Sequence, residues 1–299
     1  MKKKLRITKH ALFGILLMLP GFLVILLLKM YPILEGISYS FTNRRMDRPI
    51  DSVKFIGLEN FIEVFQDEKV LRTVWFTLVY AFFIVLISYV LGLLIAMLLN
   101  RNIRGRGIYR SLILLPWVIS NTVTAANFRW ILNDRYGIVN RMLIRLGLID
   151  QPIQFFADID MARLMVIGVG IWKTIPFMVI VILAALQSIP MDYYEAAQID
   201  GASFFARFRY ITLPGIKAVT VMATTLQFIW NFNNFESIWL LTSGGPVEAT
   251  QTLAVKIYEE AFLSNRIGYS AAIAVVIMLF MMLFTLIRFR LNAKASEDS

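Results

Sequence analysis

Two ionisable residues, Lys173 and Glu236, stand inside runs that are otherwise apolar. A charge at the centre of a bilayer costs ~2.5–3.5 kcal/mol even on the most lenient insertion scale, so each needs a reason to be there. Their neighbours are unusual as well. Around Lys173 lie Gly168, Gly170, Trp172, Thr174 and Pro176; around Glu236 lie Gln227, Trp230, Asn231, Asn233, Asn234 and Trp239. Amides and carboxylates exchange hydrogen bonds with hydroxyls, and aromatic faces stack on the C–H surfaces of sugar rings. The set therefore has the chemistry of a carbohydrate site. Helical spacing puts Gln227, Trp230, Asn231 and Asn234 on one face. The competing reading is that these amides only bond neighbouring helices and hold a bundle together. Lys173 and Glu236 are expected to face each other across the cavity and partly neutralise one another; the alternative is that each meets water in an open cavity.

Other chemistry is excluded more firmly. The 299 residues contain no cysteine and a single histidine, His10, which lies in a basic leader. Disulfides, thiolate catalysis and Cys- or His-based metal sites are ruled out on that ground. No Gly-x-x-x-x-Gly-Lys-Ser/Thr occurs, so any ATP must be bound by another polypeptide. Gly168-Val169-Gly170 lacks the third glycine of a dinucleotide fingerprint. The acidic pairs Glu259-Glu260 and Asp158/Asp160 are expected to be solvated faces rather than catalytic carboxylates. The formal charge of +10 does not indicate nucleic acid, because 58% of the residues are hydrophobic and the mean hydropathy is +0.67. Basic residues beside apolar spans instead mark the cytoplasmic face and its anionic lipids.

The elements that must position these residues are apolar runs long enough to cross a membrane. A basic leader over 1–10 is followed by a first span over Ala11–Leu28, expected to be retained and to bend at Pro20-Gly21. A mixed loop then runs from Tyr31 to Arg72. Further spans are expected over Val74–Leu99, Ser111–Leu132, Met161–Leu186, Ile216–Leu241 and Gly268–Phe289, with a short surface helix within 133–160. A polar tail occupies 290–299. The membrane domain is thus 11–289, with a core over 74–289 and a connecting loop over 188–217. Gly92 and Ala96 form a small-xxx-small pair suited to helix packing, within this chain or against a partner. If both termini lie inside, the inner segments hold fifteen Lys or Arg in 62 residues and the outer ones eleven in 96. That density ratio follows the positive-inside rule and puts the 188–217 loop in the cytoplasm.

This loop reads as a knob. Pro190 stops the preceding helix, and Asp192 is expected to cap a new one over Tyr193–Asp200. Gly201 supplies the left-handed residue that ends it. Ala202–Tyr210 is expected to form a second short helix, closed by Pro214. On the residues alone the knob is either a solvated connector or a docking element. Glu195-Ala196-Ala197, Asp200-Gly201-Ala202 and Ile211-Thr212-Leu213-Pro214, however, resemble the EAA loop of binding-protein-dependent ABC importer permeases. Phe55-Ile56-Gly57-Leu58-Glu59-Asn60-Phe61 is similar to an outer segment of the sugar permeases, and Thr242-Ser243-Gly244-Gly245-Pro246 to another of their turns. Trp230-Asn231-Phe232-Asn233-Asn234-Phe235 resembles the F-N-x-N-N-F stretch of maltose-type permeases. Gly170, Lys173, Thr174 and Phe177 match the other contributing span, with Gly170 and Lys173 departing from its chemistry.

The resemblance implies an all-α integral membrane protein with about six transmembrane helices, of the type I ABC importer permease fold, carrying a cytoplasmic coupling helix. It implies that Glu195, Ala196, Ala197, Asp200, Gly201, Leu213 and Pro214 contact an ATPase. It further implies that Gln227, Trp230, Asn231, Asn234, Gly170, Lys173, Thr174, Phe177 and Glu236 line a sugar pathway. No catalytic residue, metal or cofactor is expected on this chain; ATP and Mg belong to the partner ATPase. The implied partners are a second permease subunit in a heterodimer, an ATP-binding subunit dimer, an extracytoplasmic solute-binding protein and the lipid bilayer. The expected location is the bacterial cytoplasmic membrane, multi-pass, with both termini inside. The alternatives are a permease of the same superfamily for another solute, such as a polyol phosphate, and an ion-coupled secondary transporter using Lys173 and Glu236 as a proton relay.

Overall fold

A computed structural model describes residues 9–101 and 104–297; the leader over 1–8 lies outside them. Among the described residues the chain forms helices and no strand, with one isolated bridge between Thr42 and Phe55. In order, the helices are α1 (Lys9–Ile25), α2 (Tyr31–Tyr39), α3 (Glu59–Gln66), α4 (Glu68–Asn100), α5 (Arg106–Val118), α6 (Asn121–Ile131) and α7 (Ile138–Arg145). They continue with α8 (Ile159–Gln187), α9 (Met191–Ile199), α10 (Phe204–Arg207), α11 (Leu213–Phe232), α12 (Glu236–Thr242), α13 (Leu253–Tyr258) and α14 (Ile267–Glu297).

Among the described residues four stretches are long and apolar enough to cross a membrane: Leu16–Tyr39, Glu68–Asn100, Ile159–Gln187 and Ile267–Arg288. The remaining expected spans are broken. The stretch read as a straight third span is two helices, α5 and α6, meeting at 93°. Pro116 lies in the last turn of α5, and the Ser120 hydroxyl caps α6 by accepting from the Val123 N–H at 3.3 Å. The stretch read as a continuous fifth span stops at Phe232 and resumes at Glu236. The first span differs in the opposite sense. It passes through Pro20 without interruption and reaches Tyr39 by way of a wide turn at Leu26–Met30. Proline is tolerated within membrane helices where the freed backbone finds other partners.

Contacts divide the chain into two units, 1–66 with 257–277, and 67–256 with 278–299. In the first, Asn60 is buried and donates its Nδ2 to the Ser40 and Thr42 carbonyls, at 2.9 Å each. Phe41 packs on Phe55 and Phe61. Glu260 is also buried, 3.9 Å from Arg266, so the expectation that Glu259-Glu260 is a solvated face fails there. Asp158 has a structural task as well, capping α8 through the N–H groups of Asp160 and Met161.

The second unit is built on α4 and α8. Leu93, Ala96, Met178, Val179, Ile182 and Leu186 are buried in the core they share. The Gly92/Ala96 pair packs inside this chain, since a Cβ on Gly92 would stand 2.6 Å from Met178 Cβ. At the first turns of α4, Lys69 pairs with Glu248 at 2.8 Å, and the Leu253 N–H donates to Thr77 Oγ1 at 3.0 Å. Arg163, near the start of α8, donates to the Ala249 carbonyl at 3.0 Å. The far ends of the same helices, Leu94–Arg101 and Leu186, border a cleft of about 830 Å³ against the 191–212 segment. A helix of 33 residues is ~50 Å long. The 248–253 loop and the 191–212 knob therefore sit at opposite ends of one pair of helices.

Replacing Gly92 by leucine forces α4 off α8, and overpacking of this kind costs ~1–3 kcal/mol. The Gly92→Leu subunit is expected to unfold at a thermal midpoint several degrees lower, measured on the purified transporter. An unchanged midpoint would mean that the two helices do not meet at this glycine.

Candidate translocation site and coupling knob

The knob begins at Met191, with Pro190 as the N-cap and no side-chain cap. The expectation that Asp192 caps this helix is therefore corrected: proline pre-sets the entry into the first turn, and Asp192 falls inside that turn, where a carboxylate favours the helix N-terminus. Glu195, Ala196 and Asp200 are exposed, and Ala197 is half-buried. Gly201 has φ +74° and open space around it. The Ala202 N–H reaches back to the Ala197 carbonyl at 2.8 Å, and Gly201 N–H to Gln198 at 3.1 Å, which satisfies carbonyls at the end of α9.

The second half of the knob also differs from expectation. Ser203 caps α10 by accepting from the Ala206 N–H at 3.2 Å, so the helix starts at Phe204 rather than Ala202. Pro214 does not close it. A wide turn at Phe208–Thr212 carries the helix directly into α11, with the Leu213 N–H bonded to the Phe208 carbonyl. Leu213 packs on the α4–α8 core, while Pro214 is exposed in the first turn of α11. Tyr194 Oη and Thr212 Oγ1, 3.0 Å apart, tie the two halves together. The solvent side is apolar for a loop: Ile199 is 88% exposed, with Tyr193, Phe205 and Tyr210 beside it.

The polar spans converge on the elbow between α5 and α6. Lys173 Nζ donates to the Ile119 carbonyl at 2.5 Å. Glu236 Oε2 accepts from Asn121 Nδ2 at 2.5 Å. The two charges interact electrostatically, yet each is bonded to the elbow and not directly to the other. Both charges are thus held on one elbow, Lys173 by the Ile119 carbonyl and Glu236 by the Asn121 side chain. Beside it runs a row of rings, Trp117 to Phe177 at 6.4 Å and Phe177 to Trp230 at 5.5 Å, both edge-on. Trp117 and Trp230 are each about half exposed, at 52% and 50%.

The remaining expected pathway residues are divided. Gln227 and Asn231 are buried, and Asn231 Nδ2 bonds the Gln227 carbonyl at 2.9 Å and its Oε1 at 3.2 Å. Asn234 leaves the common face because α11 ends two residues earlier. Its Oδ1 accepts from the Ser237 N–H at 3.1 Å, starting α12, and its Nδ2 lies 3.4 Å from Tyr80 Oη. Gly170 and Thr174 are buried, and a Cβ on Gly170 would stand 2.3 Å from Ile84 Cδ1. Gly170 is there for helix contact with α4 and not as an open surface. Lys173, Phe177, Trp230 and Glu236 are brought together. Trp117 and Asn121 join them without having been singled out; the signal was Pro116, which warns of a break but not of its angle.

The family described as "Binding-protein-dependent transport system inner membrane component" matches residues 88–297. A trehalose/maltose transport system permease protein of Thermococcus litoralis is 32% identical, over 93% of this chain and 93% of its own length. An sn-glycerol-3-phosphate transport system permease protein of Yersinia pestis is 34% identical over 92% of each. Among solved structures, a chain of a bacterial ABC transporter involved in the import of the acidic polysaccharide alginate superposes with a TM-score of 0.83. It is 25% identical and covers 96% of both chains. The chain belongs to this family of inner-membrane transport components: it is an ABC importer permease subunit with several membrane-spanning helices, and ATP hydrolysis is carried by a separate subunit.

Proposed function

We propose that this chain forms one side of the pathway for a carbohydrate, delivered by an extracytoplasmic binding protein and driven by an ATPase pair docked on the 191–212 knob. The observation that carries the reading is the exposed helix–glycine–helix knob, which continues without a break into α11, the helix that bears Trp230. A displacement of the knob is a displacement of that helix. The ring row Trp117–Phe177–Trp230 supplies stacking faces, and Lys173 and Glu236 supply polar ends. Gln227, Asn231, Asn234 and Thr174 support this wall from behind, and Gly170 lets α4 approach it.

In this reading the partner permease covers the half-exposed rings, both termini lie inside, and 242–252 belongs to the outer face. Glu195, Asp200, Ala196, Ala197, Gly201, Leu213 and Pro214 meet or shape the surface offered to the ATPase, which holds ATP and Mg. The relatives named for trehalose/maltose and for alginate favour a sugar. The relative named for sn-glycerol-3-phosphate makes a polyol phosphate the second reading, and Lys173 is a group that would suit it. Binding assays with the cognate binding protein separate the two.

Two measurements test the proposal. Gly201→Asp places a side chain at positive φ for ~1 kcal/mol of backbone strain, with no steric contact, so the subunit is expected to fold and assemble. Uptake in proteoliposomes is expected to fall about tenfold or more, while the complex still hydrolyses ATP. Wild-type uptake by this variant would exclude docking at the knob. Asn121→Ala and Glu236→Ala remove the same hydrogen bond from opposite ends. Their effects on thermal stability and uptake are expected to be non-additive, with a coupling of ~0.5–3 kcal/mol in stability. Strict additivity would show that this hydrogen bond does not hold the elbow.

A further inference from the structure

A pocket of about 260 Å³ in the first unit is lined by Arg44, Arg45, Arg48 and Arg266, with Thr42 and Tyr269 among its walls. Two of these cations are neutralised. Arg45 holds Asp47 through two hydrogen bonds, at 2.9 and 3.0 Å, and this guanidinium keeps the Asp47 carboxyl below the usual carboxylate range. Arg266 is bonded to Glu63 at 2.6 and 2.7 Å and lies over the Tyr269 ring. Arg44 is different: its Nε and Nη1 are buried and bond nothing among the described residues, while its guanidinium sits 5.8 Å from the Tyr39 ring centre. Buried charged donors left open are costly, so the geometry calls for an acceptor.

The loop that carries Arg44 is preorganised. Its carbonyl accepts from the Gly268 N–H at 2.9 Å, Met46 N–H donates to Asn265 at 3.0 Å, and Ile56 N–H to Phe41 at 2.8 Å. The position in the fold identifies the kind of acceptor. One membrane helix ends at Tyr39 and another starts at Ile267, so the pocket lies within a turn or two of two span ends, at headgroup depth. Around it Phe55 (77% exposed), Ile50, Leu58 and Phe65 present apolar side chains, as interfacial segments do.

We propose that this pocket holds the phosphate of an anionic phospholipid headgroup, with Arg44 as its buried ligand and Arg48 as its outer one. Each guanidinium offers charge-assisted N–H donors to phosphate oxygens, the surrounding apolar side chains rest among acyl chains, and the lipid belongs to the outer leaflet, since 32–73 is an outer segment in this topology. The proposal is independent of which solute crosses the membrane, and it draws on the membrane reading of the spans alone.

The assembled importer is reconstituted in phosphatidylcholine vesicles with or without phosphatidylglycerol, and spin-labelled phosphatidylglycerol reports bound lipid. Arg44→Gln is expected to weaken labelled-lipid binding about tenfold, and Arg48→Gln about fivefold. Arg48 is exposed, so its variant keeps the test informative should Arg44→Gln fail to assemble. Inorganic phosphate at millimolar concentration is expected not to compete. Competition by phosphate on equal terms would replace the lipid with a soluble anion. Unchanged lipid binding in Arg48→Gln would overturn the proposal, and so would a loss of affinity for the binding protein without loss of lipid, which would assign the pocket to an acidic side chain of that protein.

Discussion

Everything in the larger unit depends on the close packing of α4 along α8. Neither helix carries a marked amphipathic stripe to set their register; small residues do. Gly92 admits Met178 toward one end, and Gly170 admits Ile84 toward the other. Within a bilayer, lipid competes for every greasy surface, and helices associate through close contact of this sort rather than through expulsion of water. The buried cluster around Leu93, Met178 and Ile182 adjoins the knob end, and that around Tyr80, Ile84 and Val169 adjoins the broken helices. One spine therefore supports both functional regions and fixes the distance between them.

The breaks in α5/α6 and α11/α12 explain why so many polar residues occur here. A helix interrupted in hydrocarbon releases carbonyls and N–H groups that must be bonded within the protein. Lys173 satisfies the Ile119 carbonyl, Asn233 Nδ2 bonds the Ile229 carbonyl at 2.8 Å, and Asn234 meets the Ser237 N–H. Ser120 does the same for Val123. A large share of the amides that suggested a sugar site are thus engaged by the backbone. Among what they leave exposed are two rings, Trp117 and Trp230, with the half-buried Phe177 between them and Glu236 nearby.

Fold class, the apolar spans and the glycine elbow of the knob are legible in the sequence because hydropathy and glycine placement act locally; its caps and the passage through Pro214 are not. Gly201 had to adopt positive φ to join two short helices, and it does. The two broken spans share one cause. Hydropathy averaged over a window does not distinguish a straight span from two shorter helices at 93°, and here α5 and α6 pass the test for a span only when taken together. The same blindness merged α11 and α12 and put Asn234 on a face it does not occupy. The cost of Lys173 and Glu236 in lipid points to partners for both; that those partners are the Ile119 carbonyl and the Asn121 side chain is tertiary information.

The wide turn at Phe208–Thr212 bears on how the knob is attached. In a regular α-helix Pro214 would lack a donor, and its ring would press on the carbonyl four residues back, Tyr210, which usually kinks or ends the helix. Opening the preceding turn by one residue moves that carbonyl away, with Leu213 N–H reaching Phe208 instead. The chain keeps its helical course, and α10 and α11 become one lever. A hinged connection at this point would dissipate any push on the knob before it reached Trp230. The combined helix instead runs from Phe204 through Phe232, and its Leu213 and Ile216 sit in the same buried cluster as Leu186 of α8. Continuity at the proline and the left-handed turn at Gly201 are therefore complementary: the glycine shapes the exposed end of the knob, and the widened turn joins that end to α11 in one helical course.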